Sequence, residues 1–69
     1  MKLFELLAVM HSDTVVKVVD VRSISVFHGE VCITGTEIPE RYKFAAVLTI
    51  CPEYFKGWGK TGITITVQP

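Results

Sequence analysis

Leu3, Leu6, Leu7 and Met10 recur at helical spacing, and Glu5 sits in the first turn, where the helix dipole favours an acid. The pattern predicts an amphipathic helix over residues 2–10, with His11-Ser12-Asp13 breaking it. Residues 14–20 (TVVKVVD) are a β-branched run with one lysine, as expected of a strand covered on most of both faces. Residues 21–25 form the following turn and lack the glycine that tight hairpins prefer. Residues 25–33 (SVFHGEVCI) read as a second strand, with Phe27, Val31 and Ile33 on one face and His28, Glu30 and Cys32 on the other. Gly29 inside it suggests a bulge or a close backbone approach.

Gly35, within residues 34–37, ends that hairpin, and Pro39 is placed to open a short helical turn over residues 39–43, where its missing N–H costs nothing. A third strand is predicted over residues 45–51 (AAVLTIC), stopped by Pro52. Residues 52–62 hold three of the five glycines and read as a surface loop. Ile63, Ile65 and Val67 alternate with Thr64, Thr66 and Gln68, the period of a half-buried last strand. The fold expected is one α+β domain over residues 1–69: an N-terminal helix packed on a mostly antiparallel four-stranded sheet, in the order α-β-β-(short helix)-β-β. A small SH3-like half-barrel is the alternative, with bends at Gly29 and Gly35. If the last strand lies at an edge, its Thr-rich face offers pairing with another chain, including a second copy.

Composition narrows the function classes. A chain of 69 residues buries only about 60% of the surface its unfolded form exposes, which leaves little room for a deep catalytic cleft. Seven basic against seven acidic side chains argue against a polyanion as the main partner. The charge is nevertheless divided: residues 1–40 carry three basic and six acidic groups, net −3, and residues 41–69 four basic and one acidic, net +3. Such a dipole suits head-to-tail or heterologous protein contacts. Two cysteines, Cys32 and Cys51, are too few for a secreted disulfide scaffold, so a reducing cytoplasm is expected. The opening run is interrupted by Glu5 and no small-x-small cleavage site follows, and no run approaches the roughly 20 apolar residues of a membrane span.

Candidate chemistry is sparse. His28, Glu30 and Cys32 with Cys51 could draw a thiolate-imidazole metal site, yet no closely spaced ligand pair of the structural-zinc kind is present, and a solvated His-Glu pair with two half-buried thiols explains the same residues. His11-Ser12-Asp13 contains the three residue types of a nucleophilic triad, but consecutive side chains do not converge, so a polar turn is expected. Gly59-Lys60-Thr61 lacks the first glycine of a phosphate loop and precedes a predicted strand. No catalytic residue, metal or cofactor is expected.

The richest stretch is Tyr54-Phe55-Lys56-Gly57-Trp58-Gly59-Lys60, three aromatics in five residues among glycines and lysines. In one reading Phe55 or Trp58 folds back to cap a small core. In the other, Tyr54, Phe55, Lys56, Trp58 and Lys60 form a partner-binding surface, since aromatic and basic side chains dominate interface hot spots. Aromatics among lysines also stack bases, so a single-stranded nucleic acid bound by this loop with Arg41 and Lys43 is a weaker alternative.

The Leu-rich opening helix (Leu3 to Leu7), the Val-rich strand ending in Asp20, the Phe27-x-Gly29-x-Val31 strand and the Ile38-Pro39-Glu40 helix start resemble small proteins of phages and integrative mobile elements of Gram-positive bacteria. The resemblance covers about the first 50 residues; the aromatic loop and the Thr-rich last strand depart from it. It carries no activity across, but it implies a cytoplasmic life in a bacterial host. The function expected is that of a non-enzymatic module acting by surface recognition of a host or defence protein, with self-association through an edge strand open.

Overall fold

A computed structural model describes residues 1–33 and 37–69. The chain runs through helix α1 (Leu3–Ala8), strands β1 (Val15–Asp20) and β2 (Ser25–Glu30), a 3₁₀ turn (Val31–Ile33), helix α2 (Glu40–Lys43) and strands β3 (Ala46–Phe55) and β4 (Lys60–Gln68). This is the α+β architecture expected, with the helices on one face of a four-stranded sheet in the order β2-β1-β4-β3. The sheet is open, not a half-barrel. β1 pairs antiparallel with β2, β4 antiparallel with β3, and the two hairpins join through a parallel β1–β4 seam.

Helix α1 is only six residues long and depends on packing for its existence. The Glu5 carboxylate accepts the Lys2 backbone N–H at 2.8 Å, and Leu3 and Leu7 are buried one turn apart. They meet Val16, Val18, Phe27, Tyr42, Ile65 and Val67 in the main core. β1 is internal and buried on both faces, which its near-continuous valine run predicts: Val16 and Val18 face the helices, and Val15 lies on the opposite face.

Several sequence expectations are corrected. Pro52 does not stop β3, because β3 is an edge strand and a proline is compatible with pairing where its missing N–H points away from the neighbour. The loop expected over residues 52–62 therefore shrinks to residues 56–59, and Tyr54 and Phe55 become strand residues. The condition of an edge position for the last strand is not met, since β4 is hydrogen-bonded to β1 and β3; the edges are β2 and β3. β2 ends at Glu30, so Cys32 lies in the 3₁₀ turn and leaves the strand face of His28, while the bulge falls where Val18 pairs Phe27 and Val19 pairs Ser25, ahead of Gly29. The turn expected over residues 34–37 falls largely outside the described residues.

Candidate functional site

The end of the β3–β4 hairpin carries the residues the sequence singles out. Phe55 pairs with Lys60 across the turn, and the Phe55 carbonyl accepts the N–H groups of Trp58 at 3.0 Å and Gly59 at 2.9 Å. Gly59 takes φ +67°, the left-handed conformation a glycine adopts without strain. Strand alternation sends Tyr54 and Phe55 to opposite faces. Phe55 is 5% exposed: its ring lies over Gly62, where a Cβ would come within 2.5 Å of the ring and closer still to the Val15 carbonyl oxygen. That bare glycine is what lets an aromatic ring close the second face of the sheet.

The five predicted residues therefore do not share one surface. The His28 ring packs 4.7 Å from the Phe55 ring and 6.2 Å from the Trp58 ring, so Trp58, 42% exposed, shields this small second core while presenting its other side to solvent. Tyr54 is 61% exposed on the helix-bearing side. Lys56 is exposed in the turn, whereas the Lys60 ammonium donates to the Asp13 carbonyl at 3.1 Å and ties the hairpin end to the approach of β1. Capping and presentation are divided among neighbouring residues: Phe55 caps, Tyr54 presents, and Trp58 does both.

Two features escape the sequence reading. The first is the outer flank of the hairpin. β3 is ten residues long and exposed along most of its length, with Leu48 and Ile50 both about half exposed. Its only charge is Glu53, whose Oε1 accepts the Thr64 hydroxyl at 2.6 Å. The run AAVLTIC looks like a buried strand, and the proline that continues it, a residue that sheets confine to edge strands and bulges, is the mark of an edge.

The second is a buried carboxylate. Asp20, 1% exposed, ends β1 and accepts the Arg22 N–H at 2.8 Å, the Arg22 guanidinium at 2.9 Å, the Ile24 N–H at 3.4 Å and the Tyr42 hydroxyl at 3.1 Å. The Arg22 side chain is the main cause that lowers its pKa from 3.8 to about 2; burial opposes it, and the backbone N–H groups and Tyr42 assist. This carboxylate organises the glycine-free β1–β2 turn, in which Ser23 is held at φ +66°. An aspartate at a strand end with arginine two positions on was the available signal.

The remaining candidates disperse. His28 and Cys51 share a sheet face but lie on opposite edge strands, with Lys17 and Thr64 between them, roughly 14 Å apart at ordinary strand spacing. Among the described residues no group of three or more His, Cys, Asp or Glu side chains could hold a metal ion. Both thiols are unpaired and exposed. His11 Nδ1 and Asp13 Oδ1 are hydrogen-bonded and exposed, while the Ser12 carbonyl accepts the Cys32 N–H at 2.9 Å, so the triad-like tripeptide is a turn. Gly59-Lys60-Thr61 enters β4, with no helix after it. No helix among the described residues is long and apolar enough to cross a membrane. No protein-family model, no curated protein and no solved structure matches the chain.

Proposed function

We propose that this chain is a non-enzymatic binding module that recognises another protein with the end of its β3–β4 hairpin. The supporting observation is the placement of Trp58 and Tyr54, large amphipathic side chains 42% and 61% exposed at the end of the β3–β4 hairpin. Trp58 is pre-positioned by the His28 ring, so little side-chain entropy is lost on docking, and Lys56 adds an exposed cation beside it. Phe55 leaves the proposed contact set and becomes its support. A host or defence protein, met in the cytoplasm by a phage- or mobile-element-encoded chain, is the partner class this reading favours, on the resemblance of residues 3–40.

The alternative, single-stranded nucleic acid stacked on Trp58, draws support from Lys17 and His28 sharing the sheet face over which Trp58 lies. It is weakened where basic groups already have partners: Lys60 with the Asp13 carbonyl and Lys43 with Glu40. The test is a pull-down from bacterial lysate, with and without nuclease, comparing wild type with a folded Trp58→Ala variant. A specific protein retained after nuclease and lost in the variant supports protein recognition. Nucleic acid retention that collapses as salt rises supports the alternative. Equal retrieval by both forms overturns the role of Trp58.

A further inference from the structure

We draw no further inference here: the strongest candidate, the apolar cleft of about 350 Å³ between helix α1, the 3₁₀ turn and helix α2, is walled by Cys32 and Ile38 on either side of residues 34–36, which lie outside the described residues, and nothing in the structure shows what fills it.

Discussion

The Tyr42 hydroxyl donates to the Asp20 carboxylate at 3.1 Å across 22 positions of sequence, joining helix α2 to the end of strand β1 inside the core. With the Arg22 guanidinium on the same carboxylate, it turns a buried charge into a fixed corner. A carboxylate satisfied this fully is costly to protonate, because its partners lose their acceptor when it does.

Stability should therefore fall in strong acid. The folded-state pKa of Asp20 is depressed to about 2 from 3.8, so its contribution is complete above 3.8 and is lost as pH drops through about 2. Urea unfolding between pH 7 and pH 2 should show this loss in wild type. Asp20→Asn should be less stable at neutral pH and flatter across the acid window, and Tyr42→Phe should lie between the two. An acid limb of unchanged steepness in Asp20→Asn would assign the effect to other carboxylates.

Gly62→Ala places a methyl group into the Phe55 ring and the Val15 carbonyl oxygen. Overpacking of this kind costs about 1–3 kcal/mol. Since displacement of Phe55 also disturbs His28 and Trp58, thermal melts and the Trp58 fluorescence maximum should shift together. Fluorescence unchanged alongside a lowered melting point would show that the ring stays in place.

Ser23 and Gly59 both occupy the left-handed region, but only one of them is a glycine. Ser23→Gly should stabilise by about 0.5–1 kcal/mol by removing the Cβ conflict, and Gly59→Ala should destabilise by about 1 kcal/mol. Denaturant midpoints of the two variants should move in opposite directions.

Trp58→Ala should separate stability from recognition. With Trp58 42% exposed and Phe55 buried, the variant should lose clearly less than Phe55→Ala, which loses about 3 kcal/mol or more. A Trp58→Ala loss as large as that of Phe55→Ala would make the indole a core element.

The legible parts of this chain are those where local pattern and tertiary role coincide. The Leu3–Leu7 stripe and the β1 valines report helix and central strand because burial demands the same spacing the chain displays. Pro52 misleads for a physical reason: whether proline ends a strand depends on which side its neighbour occupies, and the identity of the edge strand is set by the whole sheet. Tyr54 and Phe55 look equivalent as neighbours in a loop, yet strand alternation separates them. Strand order was not readable either, since nothing local to residues 60–68 says that β4 inserts beside β1 instead of at the rim.

That insertion has a consequence for how the molecule comes into being. The seam pairs Val16 with Ile63 and Asp20 with Val67, so the middle of the sheet is made of segments from opposite ends of the chain. Each hairpin can form locally, but β1 keeps one side unpaired until β4 has been synthesised and docked, a long loop closure that slows the committing step. A chain cut anywhere before β4 loses the centre of its sheet, not its margin, which makes synthesis of the last strand the event that decides whether the protein folds at all.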